Sequence, residues 1–277
     1  MSEPLTLRST LTLNDGRAIP RLGLGVFQSP RGEETRAAVL AALRAGYRHI
    51  DTARVYMNES DVGEAIRESG VPREEIWVTT KLWNDDHGYD AALAAFEASR
   101  KRLGLEYVDL YLLHWPVPRL RLESWRALET LRADGRARSI GVSNFMVRHL
   151  DELLAHAKTV PAVNQIELSP FLRQDDVVAR CAKAGIALEA YSPLTKGARL
   201  DESHVVATAK KLGRSPAQVL IRWSLQKGFV VIPKSTREER IRENAAVFDF
   251  EIPAADMSAL DGLDEGLHTG WDPTDAP

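Results

Sequence analysis

A single cysteine in 277 residues, Cys181, excludes an internal disulfide and any cysteine-built metal site, and it fits a chain kept in a reducing compartment. No apolar run approaches the ~20 residues of a membrane-spanning helix, and no basic stretch followed by an apolar core opens the chain. Charge of one sign is missing as well: 36 Lys+Arg stand against 39 Asp+Glu, a net −3 that offers no footprint for nucleic acid or a membrane surface. There is no Walker phosphate loop, no His-Glu-x-x-His, no nucleophile elbow and no Tyr-x-x-x-Lys pair. Gly23-Leu-Gly25 begins a dinucleotide fingerprint, but Gln28 stands where a third glycine would let helix and strand close up. The expectation is a soluble, cytoplasmic protein in which the Asn58-Glu-Ser60 sequon is accidental and Cys181 is a small buried residue on a helix.

What is present is an ordinary globular composition, 44% hydrophobic and 27% charged, with an alternating order of elements. Residues 5–13 alternate apolar and polar side chains, and Asn14-Asp15-Gly16 follows, which predicts a short hairpin. Strand-like runs then fall at 21–25, 47–51, 77–82, 108–113, 138–142, 162–167, 187–191 and 229–233. Amphipathic helical stretches separate them at 33–45, 58–69, 89–103, 124–134, 147–156 and 175–184, with 204–212 as an extra element before 216–227. Glycines at 46, 104, 135 and 185 supply the stops. Eight strands alternating with helices, and no linker to split them, predict one domain over 1–277: a (β/α)8 barrel with a hairpin at 1–19, extra helices near the C-terminus and a short tail at 264–277.

Four polar residues lie at or just past the ends of these strands: Asp51, Tyr56, Lys81 and His114. Each has an ordinary explanation alone. Asp51 is a possible helix cap, Tyr56 a loop aromatic, Lys81 a strand-end lysine reaching solvent, and His114 a core histidine. Together they mark the same end of successive strands, the face on which barrel enzymes place their sites. A phenol, an ammonium, a carboxylate and an imidazole in one apolar mouth are the parts of a proton-delivery device.

The segments Asp51-Thr-Ala-Arg-Val-Tyr-Met-Asn-Glu59, Lys81-Leu-Trp83, Leu113-His-Trp-Pro116, Gly141-Val-Ser-Asn-Phe145, Asn164-Gln-Ile-Glu167, Glu189-Ala-Tyr-Ser-Pro-Leu194 and Ile232-Pro-Lys-Ser235 closely resemble those of the aldo-keto reductase superfamily, in order and spacing. The likeness runs from about residue 13 to about residue 263 and is strongest to bacterial 2,5-diketo-D-gluconate-reductase-type members. It implies an NADPH-dependent reductase of small-molecule aldehydes and ketones, monomeric, in which Tyr56 is the general acid. Lys81, held charged by Asp51, lowers the pKa of the phenol from its usual ~10, and His114 orients the carbonyl oxygen.

The resemblance also implies the cofactor contacts. Tyr191 stacks on the nicotinamide, and Ser143, Asn144 and Gln165 hold its carboxamide, with Gly25, Val26 and Asp51 nearby. Ser192 and Leu194 take the pyrophosphate. Lys234, Ser235, Thr236 and Arg240 clamp the 2′-phosphate, and Glu243 and Asn244 meet the adenine edge. Read without the resemblance, Ser143-Asn144 is also a helix N-cap, and Lys234 and Arg240 a solvated basic face. Phe27, Trp83 and Trp115 wall the substrate pocket, though three aromatics are more often core. Phe27 replaces a tryptophan frequent in the family, and Thr195-Lys196-Gly197 replaces a longer glycine-rich loop. The rival readings are a non-catalytic NADPH-binding regulatory module and an unrelated barrel hydrolase or isomerase.

Overall fold

Asn14-Asp15-Gly16 turns the chain as its residues imply: in the computed structural model, which describes residues 5–276, β1 (Thr10–Thr12) pairs antiparallel with β2 (Ala18–Pro20). The alternation over residues 5–13 yields only three strand residues: Ser9 O still accepts from Arg21 N–H at 3.0 Å, but Ser9 N–H closes a turn on Thr6 O at 3.0 Å and takes the preceding chain out of the ladder. Leu13 and Ile19 of this hairpin pack with Trp77, Leu110, Leu112, Val163 and Val230, so the hairpin plugs the N-terminal end of the barrel.

The barrel strands are β3 (Leu24–Gly25), β4 (His49–Asp51), β5 (Trp77–Leu82), β6 (Val108–Leu113), β7 (Ala137–Ser143), β8 (Val163–Glu167), β9 (Ala187–Tyr191) and β10 (Val230–Val231). They lie side by side in chain order, all parallel. Bridges Leu22↔Val231 and Gly25↔Lys234 join the first strand to the last, so the sheet closes on itself. The expected strands at 21–25 and 229–233 shrink at this seam, since Pro233 has no N–H to give a regular ladder. Here the two glycines of the incomplete fingerprint find another use. A Cβ on Gly23 would lie 2.8 Å from the His49 ring, and one on Gly25 would lie 2.9 Å from Ile232 O. Both are required for close packing, not for a phosphate turn.

The helices are α1 (Glu33–Arg44), α2 (Glu59–Glu68), α3 (Tyr89–Leu103), α4 (Arg121–Ala133), α5 (Val147–His156), α6 (Asp175–Ala184), α7 (Ser203–Leu212), α8 (Pro216–Gln226), α9 (Glu238–Ala245) and α10 (Ala254–Asp261). Helix α8 starts on a reciprocal cap, Ser215 with Gln218, and has Pro216 in its first turn. Helix α10 has no counterpart among the stretches picked out above. It buries only Leu260, too little for a periodic pattern, and Asp261 anchors it by accepting from Trp223 Nε1 at 2.8 Å. Cys181 is fully buried, and Asn58 of the sequon is buried with its Nδ2 donating to Val26 O at 3.0 Å.

Gly63 supplies a test of the packing. Mid-helix Gly→Ala ordinarily stabilises by ~1 kcal/mol. In α2, however, the Leu103 carbonyl at the end of α3 occupies the space a Cβ would take. Gly63→Ala is therefore expected to destabilise by roughly 1–3 kcal/mol, lowering Tm by several degrees. A variant that melts at or above the parent temperature would show that the two helices part freely.

Candidate active site

Alternation places every second residue of a barrel strand inside. Asp51 closes β4, Lys81 lies next to last in β5, and His114 directly follows β6, so their side chains meet at the C-terminal mouth. Lys81 is wholly buried, Asp51 is 2% exposed and His114 8%. Lys81 Nζ donates to Asp51 Oδ1 at 2.6 Å, to Thr52 O at 3.0 Å and to Tyr56 Oη at 3.3 Å. Asp51 thus does not cap a helix, and Lys81 does not reach solvent. Tyr56, half-buried in the turn after β4, lies edge-on to the His114 ring at 5.7 Å between centroids.

Burial governs the protonation of this group. It pushes the Tyr56 phenol up to about 12, and the nearby Lys81 ammonium opposes that shift without cancelling it. Lys81 thus lowers the Tyr56 pKa as expected, but desolvation, which the sequence does not reveal, raises it by more. Burial also raises Asp51, opposed by Lys81, and drives His114 well below the usual histidine range, assisted by repulsion from Lys81. Burial weakens the Lys81 charge, but the attraction of Asp51 and Tyr56 outweighs it and Lys81 rises. The array is an ion pair of Lys81 with Asp51 at 2.6 Å beside a phenol held protonated and an imidazole held neutral.

Beside this group, Tyr191 Oη donates to Asn144 Oδ1 at 2.8 Å, and Asn144 Nδ2 donates to His114 O at 3.0 Å. Ser143 Oγ donates to Gln165 O at 2.8 Å, and Gln165 Nε2 donates to Asp51 Oδ2 at 2.8 Å. Asn144 adopts φ 63°. The N-cap reading of Ser143-Asn144 fails, since α5 begins after Met146, whose N–H donates to His149 Nδ1 at 3.0 Å. Val26 sits behind the mouth, fully buried, its N–H donated to Asp51 O and its carbonyl taken by Asn58. Gly25 lies at the seam, where its N–H donates to Pro233 O at 3.2 Å.

The half-buried Ser192 and Leu194 lead into a single tight turn at Thr195–Gly197, the short loop that the sequence implies. Lys234 and Arg240 are exposed, and neither side chain makes a hydrogen bond or ion pair among the described residues. Ser235 Oγ accepts from Arg237 N–H at 3.1 Å; Thr236 and Glu243 are half-buried and Asn244 is buried on α9.

The aromatic wall is also assembled at the mouth. Phe27, 46% exposed, lies 5.0 Å from the Tyr56 ring, Trp83 lies 5.3 Å from the His114 ring, and Trp115 stacks on His114 at 6.3 Å. One member escaped the sequence reading: Trp271, 60% exposed, meets Trp115 at 4.7 Å. The tail that carries it is tied down by Glu167, whose carboxylate accepts from Thr269 N–H at 2.9 Å and Gly270 N–H at 3.2 Å, and by Lys196 Nζ donating to Thr269 O at 2.6 Å. His49 and Glu189 escaped too. Each lies two residues before another site residue, Asp51 on β4 or Tyr191 on β9, and the period of a strand therefore points it to the same interior.

A parallel barrel with this mouth is the form of a carbonyl oxidoreductase, and comparison with known proteins agrees. The chain belongs to the aldo/keto reductase family, whose model matches residues 21–265. It is 54% identical over 265 residues to an aldo-keto reductase of Mycolicibacterium smegmatis, covering 95% of this chain and 96% of that one. It is 50% identical over 270 residues to the glyoxal reductase of Bacillus subtilis, covering 98% of each. The crystal structure of a Gox0644 mutant in complex with NADPH superposes with a TM-score of 0.92 at 42% identity, covering 98% of this chain and 99% of that one. The protein is an enzyme acting on carbonyl groups, of a family for which NADP(H) is the typical cofactor. Among the described residues no helix is long and apolar enough to cross a membrane.

Proposed function

We propose that the enzyme reduces aldehydes and ketones to alcohols with NADPH, with Tyr56 as the proton donor. The observation that carries this reading is the single ammonium of Lys81, shared between Asp51 at 2.6 Å and Tyr56 at 3.3 Å in a mouth walled by aromatics. Bound in this mouth, NADPH would supply a hydride to the carbonyl carbon. Tyr56 gives its phenolic proton to the carbonyl oxygen, and the phenolate left behind lies beside Lys81. A neutral His114 can donate an N–H to the same oxygen and hold it near Tyr56. Phe27, Trp83, Trp115 and Trp271 exclude water from the reacting carbon and set the size of the substrate.

The donor set fits the cofactor. Asn144 and Gln165 offer amides for a carboxamide, and the half-buried Tyr191 offers a ring face. Among the described residues Lys234 and Arg240 are cations without partners, as suits a 2′-phosphate site, with Ser235, Thr236, Glu243 and Asn244 beside them. The likeness to 2,5-diketo-D-gluconate-reductase-type members belongs to this reading at the level of motifs. So do a monomeric state and a cytoplasmic setting.

Mixing the protein with NADPH and a reactive aldehyde tests the reading through loss of the reduced-cofactor absorbance. Cofactor binding without turnover would favour the regulatory module instead. The phosphate clamp has its own test. A charge-assisted hydrogen bond is worth ~1.5–3 kcal/mol, so Arg240→Ala is expected to weaken NADPH binding roughly 10- to 100-fold and NADH binding far less. The NADPH effect should shrink as salt rises, because the site is exposed. Equal losses for both cofactors in a fluorescence titration would mean that the clamp is misplaced.

A further inference from the structure

Behind Asp51 the barrel holds a second carboxylate that the proton-delivery scheme does not use. Glu189 on β9 has no solvent exposure. Gln165 Nε2 bridges the two acids, donating to Asp51 Oδ2 at 2.8 Å and to Glu189 Oε2 at 3.0 Å. His49 Nε2 lies 3.4 Å from Glu189 Oε1 and 3.2 Å from Thr79 Oγ1. The titratable groups facing Glu189 are His49 and Asp51 from β4, Lys81 from β5 and Tyr56 from the turn after β4. From β8 it meets Gln165, and its pairing partner on β10 is Val230.

This cluster has one cation for two carboxylates, and Lys81 is committed to Asp51 at 2.6 Å. A buried charge without a counter-ion is costly, so the second acid keeps its proton. Burial, then the charge of Asp51, pushes Glu189 up to about 8, while burial holds His49 down to about 3. Both amide hydrogens of Gln165 are occupied by the acids, which leaves its Oε1 to accept from a carboxamide.

We infer that Glu189 is a positioning residue of the nicotinamide site: through Gln165 it fixes which end of that amide faces the mouth, and its proton sets the preference between reduced and oxidised cofactor. The inference rests on the reading that the barrel mouth binds NADP(H). Oxidation gives the nicotinamide ring a positive charge. An ionised Glu189 attracts that ring and is indifferent to the neutral reduced one. The oxidised form therefore gains as pH rises through the Glu189 titration. The 2′-phosphate is common to both forms, so its own titration cancels in the ratio of their affinities.

The test is fluorescence titration of the whole enzyme with NADPH and NADP+ from about pH 6 to about pH 10. In the parent, Kd(NADP+)/Kd(NADPH) is expected to fall on the order of tenfold across this range, and in Glu189→Gln the ratio is expected to be nearly flat. Binding of neither cofactor by the parent would defeat the proposed function. Binding of both with a flat ratio, or the same slope in parent and variant, would overturn this inference alone. The cofactor-free protein supplies a second readout. With the folded pKa of Glu189 near 8, above its ordinary value near 4.5, its proton stabilises the fold below about pH 4.5, and that contribution is lost as pH climbs to about 8. Urea midpoints should show this decline in the parent and not in Glu189→Gln; parallel profiles would also overturn the inference.

Discussion

Tyr56→Phe is expected to cut carbonyl reduction by ~10²–10⁴-fold while leaving NADPH affinity nearly unchanged, because it removes a proton and keeps the ring. The phenyl ring retains its contacts with Phe27 at 5.0 Å and His114 at 5.7 Å, so the mouth keeps its shape. Only the hydroxyl 3.3 Å from Lys81 Nζ is lost, and Lys81 keeps Asp51 and the Thr52 carbonyl as acceptors. The parent's pH profile follows from the same group. With its pKa near 12, the phenol stays protonated at neutral pH, and reduction should decline only when alkali removes that proton. Single-turnover measurements with bound NADPH separate chemistry from binding. If Tyr56→Phe keeps more than about a tenth of the parent's rate, another group delivers the proton.

The legible parts of the fold are those where local pattern and tertiary setting agree. The strands over Trp77–Leu82, Val108–Leu113 and Ala187–Tyr191 appear with the bounds that their apolar runs imply, since a parallel strand is covered on both faces. The seam was less legible. Pairing there depends on two ends of the chain meeting, and Pro233 breaks the ladder. Lys81, Asp51 and His114 stood out as polar residues at the ends of apolar strands. Glu189 and His49 did not, although the same two-residue period places them below the mouth. The pull of Lys81 on the Tyr56 pKa was legible but its net direction was not, since that depends on how much water the finished barrel removes, which outweighs the one nearby cation. Trp271 lies in a tail without periodicity, and contacts from far back in the chain, the Glu167 carboxylate and the Lys196 ammonium, bring it to the mouth.

Lys81→Met should damage both stability and catalysis, and the two losses can be separated. The side chain is fully buried and its ammonium sits 2.6 Å from Asp51, so its removal strands a carboxylate in the barrel. Breaking a buried pair from one side costs about 3–5 kcal/mol, which corresponds to a Tm loss on the order of 10 °C for a chain of this size. Asp51, already raised by burial, rises further once Lys81 no longer opposes it. A folded-state pKa above the unfolded value of ~3.9 means that the penalty is small in acid and grows as pH rises. The deficit of Lys81→Met should thus be smaller near pH 5 than near pH 8. Adding Asp51→Asn removes the stranded charge while keeping an acceptor for Gln165 Nε2, so the double variant should recover much of the melting temperature. It should not recover activity, because the phenolate formed at Tyr56 would still have no cation beside it. Thermal melts of the parent, the single and the double variant at both pH values, run beside aldehyde-reduction assays, decide the matter. Recovery of turnover together with stability would make the Lys81–Asp51 pair a structural brace and leave Tyr56 without its proposed stabiliser.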